Sequence, residues 1–263
     1  MRTARHRWSC PIPKSRGRIL ANSIKIENLR ASYGAVKVLH NVSIHAADGE
    51  TVALLGTNGN GKSTLIKCIT GHLKPTSGSI VADIGGKVHD LTALSAEAIV
   101  DLGIALVPEG RRLFSKLTVE ENLILGSYRP SARAAAKKNL AFCYDAFPRL
   151  KERSSQLAGS MSGGEQQMLA LARAIMSSPS ILIIDEPSVG LAPIIVARMI
   201  DKIAELKVTL NLTVLMAEQN FHQAIRIADR GYVLVHGEIA LSADDRDALC
   251  RSDVVRKLYL GLD

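Results

Sequence analysis

The chain has 263 residues, of which 47% are hydrophobic and 22% charged, so its composition excludes fibrous and disordered proteins and fits one globular unit. The formal net charge is +8, but residues 1–22 supply six basic and no acidic side chains, which leaves the body close to neutral. No apolar window approaches the roughly 18 to 20 residues that span a bilayer. We therefore expect neither a nucleic-acid-binding body nor a membrane span.

The basic segment at residues 1–22 has no hydrophobic period and no apolar stretch of signal-peptide length. It is predicted to be a disordered tail, or the product of a misplaced start codon. A cationic arm that touches lipid headgroups or nucleic acid is the alternative. The folded domain is predicted to cover residues 23–263.

Apolar segments of strand length alternate with helical patterns along this domain. Because the strands are continuous Val/Ile/Leu runs separated by helices, they predict a mostly parallel sheet that is buried on both faces. The opening strand and the segment at residues 80–88 instead predict a small antiparallel β subdomain. The main predicted strands begin at Ile24, Thr51, Ile104, Ile181, Leu212 and Tyr232.

Strand patterns disappear between Thr118 and Ser160, where helix signals replace them. The sequence from Thr118 to Glu121 fits a capping box, and an alanine-rich, basic run follows Ser131. We predict a helical subdomain, at about residues 113–165, that is inserted into the α/β core.

The sequence GTNGNGKST at residues 56–64, named here the phosphate loop, carries the clearest chemical signal. It follows a predicted strand and opens a predicted helix, a context that an ordinary glycine-rich turn lacks. Glycines let backbone N–H groups surround phosphates, Lys62 is expected to reach the β- and γ-phosphates, and the Ser63 hydroxyl is expected to ligate Mg²⁺. The predicted nucleotide-binding residues are Gly56, Thr57, Asn58, Gly59, Asn60, Gly61, Lys62, Ser63 and Thr64.

Two carboxylates follow the buried strand that begins at Ile181. A carboxylate at the end of an apolar strand is costly unless it faces a cation or water. Asp185 is therefore predicted to join the magnesium shell, and Glu186 to polarise the attacking water as general base. The alternative is a solvated strand end before a turn at Pro187.

The segment Ser162-Gly163-Gly164-Glu165, named here the signature segment, begins 100 residues after Lys62 and precedes a helical pattern. Ser-x-x-Glu alone is a common capping box. Two glycines after the cap are less common, because they lower helix stability and expose backbone N–H groups. This helix end suits a second phosphate contact, and a composite site across a dimer is the natural hypothesis.

The phosphate loop, then MSGGEQQ, then ILIIDEP resembles the ATP-binding-cassette ATPases from about Ile24 to the C-terminus. The resemblance implies an α/β P-loop NTPase fold, with ATP and Mg²⁺ as cofactors. It also implies a head-to-tail dimer with an identical or sibling ATPase, in which ATP lies between the phosphate loop of one subunit and the signature segment of the other. Tyr33 is implied to stack on adenine, although a strand-edge aromatic is the alternative.

The chain departs from the general family pattern at three places. Glu109 stands where most members carry a glutamine, and we count it among the candidate catalytic and metal-binding residues. Gln219 stands in place of the usual switch histidine; it cannot carry a proton near neutral pH but can donate a hydrogen bond to a phosphate oxygen. After Pro187 the usual Ser-Ala-Leu-Asp becomes the sequence at residues 189–192. We predict an active enzyme, with a nucleotide-gated cassette without turnover as the alternative.

These departures narrow the resemblance. YGAVKVLHNVS, VPEGRRLF, TVEENL, DEPSVGLAP and AEQN together are similar to an ATPase of branched-chain amino acid uptake systems. This implies an ATP-hydrolysing importer subunit at the cytoplasmic face of the plasma membrane, which acts through separate permease subunits and, indirectly, a solute-binding protein. A urea or amide importer is the alternative. DNA-repair and ribosomal cassettes, which carry a long insertion or two cassettes, do not fit this length and spacing.

Overall fold

The computed structural model describes residues 22–260. Residues 1–21 of the predicted tail, and residues 261–263, lie outside the described part of the chain. The strands form one six-stranded and one four-stranded sheet.

The larger sheet has the strand order β10-β9-β3-β8-β7-β6, and all neighbours except β9 and β10 are parallel. Its central strands are buried along their whole length, as the continuous apolar runs predict. The edge strand β10 was not predicted; it follows β9 through a two-residue turn in which His236 and Gly237 both have positive φ. The strands are β3 Thr51–Leu55, β6 Ile104–Val107, β7 Ile181–Asp185, β8 Thr213–Glu218, β9 Arg230–Val235 and β10 Glu238–Ala243.

The smaller sheet is antiparallel throughout, with the order β2-β1-β4-β5. It contains the opening strand and the segment at residues 80–88, so the predicted antiparallel subdomain is confirmed. The sequence reading did not include β2, whose buried side chains alternate with exposed ones. The strands are β1 Asn22–Tyr33, β2 Val36–Ala46, β4 Ser77–Ile84 and β5 Lys87–Asp90.

Alternate residues of the parallel strands enter two separate hydrophobic cores, because successive side chains of a strand point to opposite faces. In β7, Ile181 and Ile183 pack with the antiparallel sheet and helix α1, Lys62–Ile69. Leu182 and Ile184 pack with the helices on the other face. The parallel sheet is therefore a middle layer, and the loops at its strand ends are held from both sides.

Helices occupy the chain between β6 and β7, which confirms the inserted helical part of the predicted fold; its limits at residues 113 and 165 stay a prediction. The Thr118 and Glu121 capping box is present at the first of these helices. Their bounds are α3 Val119–Leu125, α4 Pro130–Ala134, α5 Ala136–Ala146, α6 Pro148–Glu152, a 3₁₀ turn at Ala158–Ser160 and α7 Gly163–Ile175.

The remaining helices cover the parallel sheet and the C-terminal end of the described chain. Within residues 22–260, no helix combines the length and the apolar character needed to cross a membrane. The bounds are α2 Ala96–Asp101, α8 Pro193–Leu210, α9 Phe221–Ala224, α10 Arg246–Arg251, α11 Asp253–Val255 and a π-helical turn at Arg256–Leu260.

Candidate functional site

Four of the predicted site segments follow the carboxyl ends of parallel strands. The phosphate loop follows β3, Glu109 follows β6, Asp185 ends β7, and Gln219 follows β8. Because these strands are neighbours in one sheet, the segments lie along the same edge, where open α/β sheets bind their ligands.

The phosphate loop needs glycine at two positions for steric reasons. A Cβ atom at Gly56 would lie 2.7 Å from the carbonyl oxygen of Leu234, and one at Gly61 would lie 2.8 Å from the Leu39 side chain. Gly61 also has φ +101° and is the N-cap of α1 without a side-chain cap. The first N–H groups of α1 therefore remain available to an anion.

Lys62 contacts both the backbone of the phosphate loop and Glu186. Its Nζ donates to the carbonyl oxygens of Gly56 and Thr57, at 2.7 and 3.1 Å, and lies 2.8 Å from Oε1 of Glu186. The Lys62 and Glu186 side chains are both buried, so each charge depends on the other and on these hydrogen bonds. The Lys62 ammonium group thus lies within the phosphate loop and is paired with Glu186, the predicted general base.

Asp185 lies beside Ser63, whose hydroxyl donates to its Oδ1 at 3.3 Å. Burial raises the pKa of Asp185 from 3.8 to about 6, and the negative charges of Glu186 and Glu109 add to this effect. This part of the site carries an excess of carboxylate charge, which a cation would relieve.

One cleft of about 300 Å³ gathers several of the predicted residues, and we call it the phosphate cleft. Glu186 enters it from a left-handed backbone conformation with φ +46°, which is uncommon for a residue other than glycine. The lining residues include Val38, Gly59, Lys62, Ser63, Glu109 and Glu186.

The Asn60 side chain forms hydrogen bonds to other residues of the protein. Its Nδ2 donates to Oγ1 of Thr57 at 2.7 Å, and its Oδ1 accepts from the backbone N–H of His236 at 2.8 Å. Asn60 therefore ties the phosphate loop to the turn between β9 and β10. Its predicted nucleotide contact stays a prediction.

Tyr33 and Gln219 are not among the residues that line the phosphate cleft in the described chain. Tyr33 is about half exposed, and Nζ of Lys67 donates to its hydroxyl at 3.3 Å. Gln219 lines a separate hollow of about 360 Å³ with Ser188 and Val189, which belong to the loop after Glu186. Lys67 belongs to helix α1, which begins within the phosphate loop, and Gln219 directly follows β8; both predicted roles stay predictions.

The signature segment forms the N-terminal end of α7. Ser162 caps the helix by accepting from the backbone N–H of Glu165, and Oε2 of Glu165 accepts from the N–H of Ser162 at 3.0 Å, so the predicted capping box is present. A Cβ atom at Gly164 would lie 2.7 Å from Cγ2 of Ile195, and one at Gly163 would lie 3.1 Å from Nη2 of Arg111. A side chain at Gly164 would therefore clash with Ile195, whereas one at Gly163 would displace only the flexible end of the Arg111 side chain.

The signature segment does not border the phosphate cleft of its own chain. It lines a different groove of about 660 Å³, between α6, α7 and the start of α8, with Phe147, Leu191 and Ile195. A single described chain therefore presents the two predicted halves of the nucleotide site on separate surfaces.

Sequence reasoning missed two residues of this region. Arg111, with φ +66°, packs against Gly163 and donates from Nη1 to Oε1 of Gln166 at 3.1 Å, which joins the loop after Glu109 to the signature helix. Glu218 is fully buried at the end of β8. The signal that identified Asp185, a carboxylate closing an apolar strand, applies equally to Glu218.

Comparison with known proteins decides the family. Residues 39–189, more than half of the chain, match the ABC transporter family. The chain belongs to the ABC transporter family. The cassette is 44% identical to the high-affinity branched-chain amino acid transport ATP-binding protein BraG of Pseudomonas aeruginosa, over 90% of this chain and 99% of that protein. It is 34% identical to the probable branched-chain amino acid transport ATP-binding protein LivF of Archaeoglobus fulgidus, over 91% and 99%.

Solved structures support the same assignment. The crystal structure of a nucleotide-free ATP-binding cassette from an ABC transporter superposes with a TM-score of 0.79 at 25% identity, over 92% of this chain and 99% of that one. The structure of an ATP-binding subunit of an ABC transporter gives 0.75 at 29%, over 90% and 98%. The predicted cassette fold, ATP binding and transporter-ATPase class are confirmed.

Proposed function

We propose that this cassette hydrolyses ATP to drive the import of branched-chain or related hydrophobic amino acids. The observation that carries the proposal is the match to BraG, a branched-chain amino acid transport protein, at 44% identity over 99% of its length. The match to LivF, which is named for the same cargo class, adds support from a second organism. The residues of the phosphate cleft supply groups for the reaction.

In this proposal, the ion pair of Lys62 and Glu186 belongs to the nucleotide-free state of the cassette. The ammonium is 2.8 Å from the carboxylate and hydrogen-bonded to the loop carbonyls. Phosphate oxygens are strong acceptors for a lysine ammonium, so nucleotide binding would draw Lys62 away from Glu186. Glu186 is then free to orient water and accept its proton. Gln219 is proposed to donate a hydrogen bond to the γ-phosphate.

The donor set beside the phosphate loop fits Mg²⁺. Ser63 and Asp185 are hydrogen-bonded to each other, and Glu109 contributes charge at Asp185. Mg²⁺ prefers hard oxygen ligands and keeps only one or two carboxylates beside phosphates and water. In the described chain, no cluster of three or more His, Cys, Asp or Glu side chains offers an alternative metal site. Ser63, Asp185 and Glu109 would hold the Mg²⁺ ion, and the bound ion would neutralise phosphate charge.

A second subunit is proposed to complete the nucleotide site. The signature segment presents the N-terminal end of α7 on a surface apart from the phosphate cleft of its own chain. A head-to-tail dimer with an identical or sibling ATPase would place that end against the nucleotide of the partner. Tyr33 is proposed to contact adenine, beside the cleft.

Exposed apolar side chains support contact with a membrane permease. Phe114, Ile124, Leu125 and Tyr128 are each exposed by 46% or more, and they follow Glu109 in the chain. They lie within one stretch of the helical insertion, and neighbouring exposed hydrophobic residues are typical of interaction surfaces. We propose that this surface binds permease subunits at the cytoplasmic face of the plasma membrane and passes the motion of the cassette to them. A solute-binding protein would act on the other side.

Uptake in cells that lack the gene tests the cargo. Radiolabelled leucine uptake is expected to fall and to return with the parent chain, whereas the Glu186→Gln variant should not restore it. Urea uptake should stay unchanged throughout. Loss of urea uptake with normal leucine uptake would favour the urea importer instead.

Phosphate release by the purified protein with its membrane partners tests the chemistry. Glu186→Gln keeps the shape of the side chain but removes the base, so kcat is expected to fall by about 100-fold or more. Equal rates for the variant and the parent would exclude Glu186 as the base. An inert parent would instead replace the proposal with the nucleotide-gated cassette.

A further inference from the structure

Glu218 is a buried carboxylate at the edge of the parallel sheet where the site segments meet. It ends β8, between Ala217 and Gln219, and its side chain is fully buried. It forms no ion pair within the described part of the chain. A buried carboxylate without a cation is expensive unless hydrogen bonds satisfy it.

The carboxylate is satisfied by two different loops. Its Oε1 accepts from the backbone N–H of Ser188 at 3.1 Å, and its Oε2 accepts from the backbone N–H of Asn220 at 2.8 Å. Ser188 lies two residues after Glu186, and Asn220 lies one residue after Gln219. One side chain therefore bridges the loop that carries the predicted base and the loop that carries the predicted switch residue.

Glu186 depends on this bridge because its own backbone is strained. Its left-handed φ of +46° is unfavourable for a residue other than glycine and persists only where neighbouring groups impose it. The backbone N–H of Glu186 donates to the carbonyl oxygen of Ala217 at 2.9 Å, next to the Glu218 contacts. Two adjacent residues of β8 thus tether the start and the middle of the loop after β7.

Tyr259 lines the hollow beside these loops, together with Ser188 and Asn220. Its ring centroid is 5.9 Å from that of Phe221, and its hydroxyl is buried without a hydrogen-bond partner in the described chain. Burial, followed by the charge of Glu218, raises the pKa of Tyr259 to about 12, so the phenol stays neutral at physiological pH. The C-terminal turn therefore lies beside the bridge, close enough for the charge of Glu218 to act on Tyr259.

We infer that Glu218 is a positioning residue: by bonding Ser188 and Asn220 at once, it fixes Glu186 and Gln219 relative to each other for ATP hydrolysis. The inference rests on the proposed ATPase function. It assigns no contact between Glu218 and the nucleotide. The bridge needs both carboxylate oxygens as acceptors, because Ser188 and Asn220 each contribute a backbone N–H donor.

Glu218→Gln is the sharpest test. Glutamine has nearly the same shape but offers one acceptor and one donor, so one of the two backbone N–H groups must face an NH₂ group. We expect kcat to fall by about tenfold or more, because small displacements of catalytic groups are costly, while KM and Kd for ATP stay within about twofold. A change in KM and Kd without a change in kcat would contradict the inference.

Glu50→Gln is the matched control. Glu50 is also a largely buried acceptor, with Oε2 on the backbone N–H of Ala47 and Oε1 on Arg230, but it lies before β3, at the opposite end of the sheet. Its substitution should lower the melting temperature and leave kcat unchanged. If both variants lower kcat equally, the effect of Glu218 is general destabilisation and the inference is wrong. If Glu186→Gln abolishes ATP hydrolysis but Glu218→Gln keeps the parent kcat, the proposed ATPase function stands and only the inference about Glu218 is wrong.

Hydrogen exchange supplies a second readout, and its first part needs only the parent chain. In the parent, the amide hydrogens of Ser188 and Asn220 should exchange as slowly as those of β8. In Glu218→Gln, at least one of the two should exchange on the order of tenfold faster, whereas Glu50→Gln should leave both unchanged. Rapid exchange of both amides in the parent would show that the bridge does not persist in solution.

Discussion

The phosphate cleft and the N-terminal end of α7 differ in how completely one chain builds them. In the cleft, Lys62 and Glu186 are buried, paired and hydrogen-bonded. At the helix end, Ser162 and Glu165 are joined to each other by the capping box and face an open groove. Both are N-terminal ends of helices, α1 and α7, and such ends suit anions, but only the first has the buried Lys62 and Glu186 pair beside it.

This difference explains why a cassette of this kind is expected to act in pairs. The edge of the parallel sheet collects Asp185, Glu186 and the phosphate loop, because neighbouring parallel strands end together. The signature segment lies at the end of the helical insertion, which packs against the other face of the same sheet. No rotation of side chains within one chain would merge the two surfaces, whereas a partner chain can supply the missing half.

Ser162→Arg should separate turnover from binding. A large cation at the helix end blocks the surface meant for the partner nucleotide, so ATPase activity is expected to fall by about 100-fold or more. Binding of ATP to the isolated chain should stay within about twofold, as measured by calorimetry. Thr118→Arg is the control, because Thr118 forms the same kind of capping box at α3, and its loss should reduce stability alone. Loss of ATP binding in the Ser162 variant would contradict the division of the site between chains.

Lys62→Met should weaken the binding of ATP to the phosphate cleft. Removing the ammonium eliminates charge-assisted contacts with phosphate, and ATP affinity is expected to fall on the order of 100-fold. The variant also leaves Glu186 buried without its cation, so the melting temperature should drop. Adding Glu186→Gln should restore the melting temperature without restoring ATP affinity. If the double variant is no more stable than Lys62→Met, the ion pair does not set the stability of the empty cleft.

Asp185→Asn should stabilise the nucleotide-free protein in a pH-dependent way. The folded-state pKa of Asp185 is about 6, raised from 3.8, so the folded chain prefers the protonated form. Its contribution to stability is therefore fully present below about pH 4 and is lost as the pH rises through about 6. Asparagine avoids this loss, and the gain at about pH 8 is expected to be up to about 3 kcal/mol. Thermal unfolding without Mg²⁺ or nucleotide measures it; an equal gain at about pH 4 would show that ionisation is not the cause.

Arg111→Ala should have the smallest effect of the four, because it removes one contact between the two regions. The lost hydrogen bond to Gln166 and packing on Gly163 should cost about 1 kcal/mol. Arg112→Ala is matched in sequence and backbone, since Arg112 also has a positive φ, but its exposed side chain should contribute less than about 0.5 kcal/mol. Urea unfolding compares the pair. Equal costs would mean that Arg111 does not link the loop after β6 to α7.

Several features were predictable because they depend on local sequence. Continuous apolar runs identified the parallel strands, and two capping boxes identified helix starts at Thr118 and Ser162. The spacing of Gly56, Gly61 and Lys62 identified the phosphate loop. Strand β2 was missed although Val42, Ile44 and Ala46 are buried on alternate positions, because polar residues interrupt its apolar run.

Local sequence was enough to predict the phosphate loop and the carboxylates at the end of β7, because short motifs and hydrophobic periodicity encode them, and the cassette fold was implied by the resemblance of these motifs to a known family. Tertiary structure alone decided that Lys62 pairs with Glu186, that Asn60 binds the turn after β9, and that the signature segment opens onto a separate groove. It also placed Glu218 between two loops. Glu218 and Ser188 are 30 positions apart, Asn60 and His236 are 176 positions apart, and only the packing of the sheets and helices brings such residues together.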